Sequence, residues 1–582
     1  MNRFTPFSGL ETWLRVMFLL VIGVAVGQAQ ITLERRLDVN KNVPEMGTLR
    51  TAFSWTNSGF QAVSSVALTL SMSSSTAENP ISLGDFSATL RHGVGGSEGF
   101  RSASLFSMGG LTNLTQTFIQ PDNLDGSWLS SGYWNLALTD GQSGGVGRLD
   151  AWTLAVTGTL VNSGTLDVGG GGVISATSAG TQEIGAVVSS SGSGANAVAL
   201  EASSGRALQL NAGLNGSGEF KKQGEGAVRL AAASTNFTGA MKVQSGELEV
   251  ANSGALGSGS LDVSSGAKVR VAGGVTLSNA LAVASGQAVL AGGTNSTDVS
   301  TVSSVISGSG GIEKIGAGRL VLTGTNTYSG ATDISEGKLV VNGNIASSSK
   351  VTVETGGTLG GSGTVGVLEI ASGGTLAVGN SPGTLNAGNT TWAGGASLAW
   401  EVDDSTGNET VSGTTLFGRG SNWDFLNVTG TLNITATSTN KFIIDVISLL
   451  NGTNTGDTAD GFAPGTDYSF AIATASGGIQ IGGTGIGGYA SESAFNSALL
   501  ALFDINTTAF MNNQNSDALW SISTASGGTT LLLSYSGSQV GGGGFGGGGG
   551  GATAIPEPSS ASLVVLGLAA VLAKRRRDAA RG

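Results

Sequence analysis

Between Leu160 and about Asn389 the chain keeps returning to one phrase: glycine, polar, leucine, any residue, valine. Gly337-Lys338-Leu339-Val340-Val341, Gly357-Thr358-Leu359 and Gly374-Thr375-Leu376-Ala377-Val378 all carry it. The phrase recurs about every 20 residues, which is a solenoid period. Apolar residues two apart place Leu and Val on one face of a strand. So short a strand cannot bury that face alone and must stack on copies of itself. Glycine at the boundaries supplies the positive φ of a sharp corner. The pattern therefore predicts a parallel β-helix, and an all-β fold class. Glycine is 98 of 582 residues with only 8 prolines, while hydrophobic residues make up 40%. That excludes a collagen repeat and an ordinary disordered chain. There is no cysteine, so disulfides, thiol nucleophiles and cysteine metal sites are excluded.

A longer repeat overlies the short one. Gly216-Ser217-Gly218-Glu219-Phe220-Lys221-Lys222-Gln223-Gly224-Glu225-Gly226 matches Gly308-Ser309-Gly310-Gly311-Ile312-Glu313-Lys314-Ile315-Gly316-Ala317-Gly318. After a one-residue slip, Phe237-Thr238-Gly239 matches Tyr328-Ser329-Gly330. Asn326 and Asn236, near corners, are candidates for bonding to adjacent backbone. The stretch Gly308 to Val341 resembles the autotransporter-associated β-strand repeat, also called the passenger-associated transport repeat. The copy at 214–250 is degenerate, its Ala-rich centre lacking the Gly-x-Asn segment. Residues 556–574 are not a translocating barrel, so the chain does not read as a complete autotransporter.

Both ends read as export devices. Met1 to Ala29 has Arg3 and Arg15 flanking its start and an apolar core from Val16 to Val26. Gly27-Gln28-Ala29 follows, a small-residue cleavage site, with cleavage expected after Ala29. This implies the Sec export machinery as a partner. At the other end, Pro556-Glu557-Pro558 is held extended by its prolines. The uncharged run Ser559 to Ala573 would span ~22 Å as a transmembrane helix. Lys574, Arg575, Arg576 and Arg577 then form a cytoplasmic stop. Alone, this tail is an anchor or a sorting signal. The order of parts resembles the PEP-CTERM sorting signal, with Ile555 where that family carries valine. The resemblance implies an exosortase-type sorting protease as partner, cleavage near the motif, an inner-membrane intermediate, and release to the cell surface or matrix. The two ends carry more cations than acids, so the rest is more acidic than the whole chain's formal net charge of −12. Such a body repels nucleic acid and anionic lipid.

Six segments result: a signal peptide (1–29), a β-sandwich-like module (30–160), the β-helix (161–390), a β-rich capping module (391–538), a Gly-rich linker (539–554) and the tail (555–582). In the first module Val63, Val66, Leu68 and Leu70 suit a strand, as do Ser87 to Leu90 and Thr153 to Val156. Trp134, Leu136 and Leu138 share one strand face, and Trp152 and Leu154 another. This Gly-x-Trp-x-Leu pattern resembles the end of the P, or homo-B, domain. Members of that family often bind calcium, but no dense acidic loop is visible, and Asp140 and Asp150 read as turn residues. In the capping module, Ser491 to Phe503 predicts a short helix with Ser491 as N-cap and Ala494, Ala498, Leu499 and Leu502 on one side. Asn422 to Leu432 with Tyr468 to Ala473 resembles the closing module of PEP-CTERM proteins that carry this repeat.

Chemistry is sparse. The only histidine, His92, sits in what reads as a glycine-flanked loop, without a visible partner for a Ser-His-Asp triad. Histidine zinc sites are excluded by count. The best carboxylate pairs are Asp403-Asp404 and Asp457 with Asp460, because β-helices can host polysaccharide lyases and hydrolases. Their Ser/Thr/Gly-rich surroundings favour solvated turns. No cofactor is expected. Tryptophans of the end modules could stack on sugars, with core packing the commoner role. The sequence thus points to an exported, non-enzymatic structural or adhesive protein that contacts exopolysaccharide. The alternatives are a polysaccharide-cleaving β-helix and a carbohydrate-binding surface protein.

Overall fold

The computed structural model describes residues 31–42, 48–56, 60–74, 86–93, 103–105, 113–119, 131–140, 147–160, 165–167, 171–176, 179–405, 419–450, 454–455, 458–514 and 518–537. Alternation fixes the strands. In Glu247–Val250 the glutamates face out while Leu248 and Val250 are buried, and Ser260–Val263 and Lys268–Val271 repeat the pattern. These runs are four residues long, too short to stand alone, and each pairs in parallel with the coil before and after.

The result is an all-β chain built round a three-faced parallel solenoid. One face is a 14-stranded sheet running from Gly180–Ile184 to Thr484–Gly485. Only its last pair, Ile479–Ile481 with Thr484–Gly485, is antiparallel. A second face is formed first by an 11-stranded and then by a seven-stranded sheet, and the third by a four-stranded and then a ten-stranded sheet. The chain visits the faces in constant order. Inward columns run along the axis: Ile174, Leu200, Lys222 and Val243 on one face; Leu290, Lys314, Ile334 and Val353 on another. Leu, Val and Ile fill the interior, as the repeat predicts.

The parallel ladder does not stop at 390. Thr390–Trp392 continues onto Leu432–Ile434 and then Ile479–Ile481. Along the seven-stranded sheet the pairing turns antiparallel beyond Tyr468–Ala475, through Thr530–Ser536 and Leu519–Ala525, while Phe503–Asn506 still adds in parallel to Phe442–Leu450. The helix there is Glu492–Leu500. Ser491 caps it as expected, its hydroxyl accepting from the Ala494 N–H at 3.1 Å. Its buried face is Phe495 and Leu499 rather than the alanines, and Leu502 lies in the turn beyond.

At the other end, Ile31–Asn42 pairs antiparallel with the first coil at Val173–Ala176 and with Gly147–Leu160 on its far side. The first module's strands are thereby continuous with one solenoid face. Its second sheet comprises Thr48–Thr56, Ser131–Asp140, Phe86–Gly93 and Ala103–Leu105. The three expected strand runs fall in Phe60–Ser74, Phe86–Gly93 and Gly147–Leu160. Leu136, Leu138, Trp152 and Leu154 are buried, as their alternation requires. Asp150 lies within a strand and Asp140 ends one, so neither occupies the turn expected of it. No helix of the described residues is long and apolar enough to cross a membrane; the run Ser559 to Ala573 lies outside them.

Candidate functional site

The two long-repeat copies build the same kind of corner. Lys222 and Lys314 occupy inward strand positions and are fully buried. Lys314 Nζ donates to the carbonyls of Ile315 (3.0 Å), Gly316 (2.7 Å) and, one coil on, Glu336 (2.8 Å). Lys222 Nζ donates likewise to Gln223 (3.0 Å), Gly224 (2.5 Å) and Ser245 (2.9 Å). Gly224 and Gly316 have φ of 74° and 79°, and this left-handed turn aims their carbonyls inward. Burial pushes both ammonium groups down to about 8. Nearby carboxylates pull the other way, Glu225, Glu201 and Glu247 at Lys222 and Glu336 at Lys314. The lysines are corner staples between coils.

Asn326 works beside them. It is buried, accepts from the Ile306 N–H at 2.8 Å and donates to the carbonyls of Gly324 (3.0 Å) and Asn344 (3.1 Å). In the degenerate copy this role does not fall to Asn236, which is exposed. Ser234 takes it, accepting from the Leu214 N–H at 2.8 Å and donating to the Ala255 carbonyl at 2.6 Å. Counting forward along the repeat would have found Ser234, which follows Lys222 at the interval by which Asn326 follows Lys314. Tyr328, buried at the matching aromatic position, bonds Thr332 at 2.6 Å, and burial raises its hydroxyl to about 12.

The carboxylate candidates lie one coil apart, Asp403 and Asp404 after Ser397–Val402 and Asp460 after Phe442–Leu450. Asp404 forms a β-bridge with Asp460, so members of two separately expected pairs meet at the backbone. The Asp460 N–H donates to the Asp403 carbonyl at 2.7 Å, and Asn422 Nδ2 donates to Asp404 Oδ2 at 3.2 Å. Asp457 lies outside the described residues. Among the described residues no three His, Cys, Asp or Glu side chains gather as a metal site. A carboxylate that sequence reasoning passed over, Asp424, is buried between strands. It accepts from the N–H groups of Gly383 (2.9 Å) and Glu401 (3.1 Å). Burial, then the neighbouring Glu401, raises it well above the usual carboxylate range.

His92 stands in the strand Phe86–Gly93 opposite Trp134, not in a loop. Trp392, Trp400 and Trp423 are core residues. Trp392 stacks on Phe442 at 4.5 Å, while Trp400 and Trp423 donate to the carbonyls of Asp424 and Ala471. None of the three is available to a sugar. Pro556, Glu557, Pro558, Lys574, Arg575, Arg576, Arg577 and the cleavage position Ala29 lie outside the described residues.

An open groove of about 340 Å³ lies where the antiparallel strand Thr530–Ser536 joins Tyr468–Ala475, lined by Asn427, Val428, Thr429, Thr474, Ala475, Ser476 and Thr529. A polar row leads into it along the axis, from Thr364 through Asn386 and Asn427 to Thr474.

The lysine corners define a class of solenoid unit. Residues 220–250 and 312–341, the stretches that carry them, match the passenger-associated-transport-repeat. Over 81 residues the chain is 49% identical to an extracellular serine protease of Serratia marcescens, covering 14% of this chain and 8% of that protein. Over 85 residues it is 42% identical to the adhesin BmaC autotransporter of Brucella suis biovar 1 (strain 1330), covering 14% of this chain and 2% of the adhesin. The chain thus spans under a tenth of the length of these relatives.

Proposed function

We propose that this is an exported, non-enzymatic surface or extracellular-matrix protein with a structural or adhesive role. The observation that carries the reading is the weaving of two passenger-type repeats into one continuous parallel ladder. Such a ladder gives length and a repetitive polar exterior. Likeness to an adhesin supports it. The protease-named relatives match a small part of their own length, and a Ser-His-Asp triad here would have to use His92, the single histidine.

In this proposal residues 1–29 direct export through the Sec machinery, and the N-terminal strands form a P/homo-B-like sandwich. The Pro556-Glu557-Pro558 tail is a PEP-CTERM signal. It is held by a transmembrane segment and Lys574 to Arg577 until an exosortase-type protease acts. The test is the mass of the mature protein from its host, with surface proteolysis of intact cells. A start at Gln30 and an end near Pro558 are expected. A retained tail overturns the sorting step, and a protease-shielded, full-length chain overturns export. A polysaccharide-cleaving reading is tested on acidic and neutral polysaccharides. Cleavage that is lost in Asp404→Asn would replace the non-enzymatic reading.

A further inference from the structure

We infer that the groove at Asn427 is a binding site for a neutral, hydroxyl-rich polysaccharide chain. The inference rests on the surface reading above and gives it a ligand class.

The argument is one of donors and acceptors. Four hydroxyls line the groove, and each gives its proton to the protein. Thr429 donates to the Ala387 carbonyl (3.0 Å) and Ser476 to the Thr429 carbonyl (2.6 Å). Thr474 donates to Asn427 Oδ1 (3.3 Å) and Thr529 to the Ser526 carbonyl (2.9 Å). These acceptors have no proton to return, so the direction is forced. Each hydroxyl is left with lone pairs alone. The Asn427 amide spends one N–H on Asn386 Oδ1 at 2.9 Å and keeps the other. The wall's exposed polar atoms are therefore mostly acceptors, set in a surface that is otherwise largely apolar. No charged side chain lines it.

A ligand that fits must bring its own donors and carry no charge. An anion needs donors or cations, which the wall lacks. A cation would meet no carboxylate there. A sugar chain has a hydroxyl on nearly every carbon, and each can donate. The volume sits at the low end of the ~300–1,000 Å³ of small-molecule sites. The polar row continues from the groove over successive coils, at the ~4.8 Å spacing of paired strands. That continuation favours a chain lying along the axis over a free sugar.

The test is affinity electrophoresis of the whole protein in gels carrying dextran, a soluble β-glucan, or alginate, with glucose as competitor. Retardation by a neutral polymer and not by alginate is expected, with glucose competing weakly. The double variant Thr429→Val/Ser476→Ala removes two exposed acceptors and should weaken retardation about tenfold. Its thermal melting should fall by no more than a few degrees, since both lost bonds are made by exposed residues. Thr429→Lys adds donors and a positive charge, and should shift preference towards alginate. Retardation by alginate alone, by no polymer, or equally in the double variant overturns the inference. Those outcomes leave surface delivery standing, because delivery is judged by the mature mass and surface proteolysis.

Discussion

Replacing Lys314 by methionine keeps the length of the side chain and removes its protons. The carbonyls of Ile315, Gly316 and Glu336 then lose donors now at 3.0, 2.7 and 2.8 Å. A buried acceptor without a partner costs ~1–3 kcal/mol, so three cost ~3–9. Against this, methionine buries no charge. A lysine pushed from 10.5 to about 8 by burial has given up ~3 kcal/mol of ammonium stability, which the variant recovers. The net expectation at pH 7 is a loss of ~3 kcal/mol. Urea unfolding followed by tryptophan fluorescence measures it. Hydrogen exchange should show the loss concentrated in the coils next to Lys314, because solenoid coils interact chiefly with neighbours. Lys222→Met should cost about the same, and the two should add, since they share no partner.

The pH dependence has a defined sign. Below about 8 both lysines are protonated, folded or unfolded. Between about 8 and 10.5 the folded protein sheds these protons first, so the unfolded chain holds more and stability rises with pH. Tyr328 acts oppositely. Raised to about 12, it stays protonated when folded while the unfolded tyrosine ionises from 10, so stability falls again from 10 to 12. The rise from pH 8 to 10 should shrink in Lys222→Met/Lys314→Met, leaving the part due to Lys338, which burial also lowers. Equal or greater stability of Lys314→Met at pH 7, with that rise intact, would refute the staple.

Two other substitutions probe the same architecture. A Cβ at Gly330 would stand 2.2 Å from the Gly311 nitrogen and 2.4 Å from the Gly310 carbonyl carbon. Gly330→Ala must push coils apart and should lower stability by ~1–3 kcal/mol in urea unfolding; an unchanged midpoint would mean the coils are less close than described. Glu401→Gln removes the charge that, after burial, raises Asp424. Wherever Asp424 is ionised the substitution should stabilise the protein, by ~0.5–1 kcal/mol. The gain should shrink on acidification, as Asp424 takes up its proton and the repulsion ends in the wild type too; a gain independent of pH would point elsewhere.

The solenoid was legible because alternation and glycine spacing are local. Val341, Leu359 and Leu376 declare their facing within a few residues, and Ser491 declares its cap. The burial of Lys222 and Lys314 was not legible, because a lysine in an alternating strand reads as an outward residue. Its inward place depends on carbonyls that only the folded corner collects. Nor did the sequence show that Asp404 meets Asp460, since a full coil of the ladder, Phe425–Val428, Leu432–Ile434 and Phe442–Leu450, lies between them. His92 read as loop because its flanking glycine is a turn signal, yet strand pairing with Ser131–Asp140 prevails. The groove hydroxyls carry no pattern, for serine and threonine are common everywhere in this chain.

The two long-repeat copies do not lie on the same faces. Phe220–Gln223 belongs to the 11-stranded sheet, whereas its counterpart Gly311–Ile315 belongs to the 14-stranded one. The second copy has therefore slipped by one face, and its lysine staples a different corner line. The three faces must be nearly equivalent for this to be tolerated. What the repeat encodes is then a strand with its corner, not a whole turn of the solenoid. Elsewhere other side chains bind the corners. Asn279 is buried and donates to the carbonyls of Gly257 (3.0 Å) and Gly259 (2.8 Å), the amide serving where no lysine is present. This accounts for family likeness confined to two stretches inside a ladder that runs far beyond them. The inward leucines and valines suffice to stack a coil, while the lysine corner is one of several ways to close it.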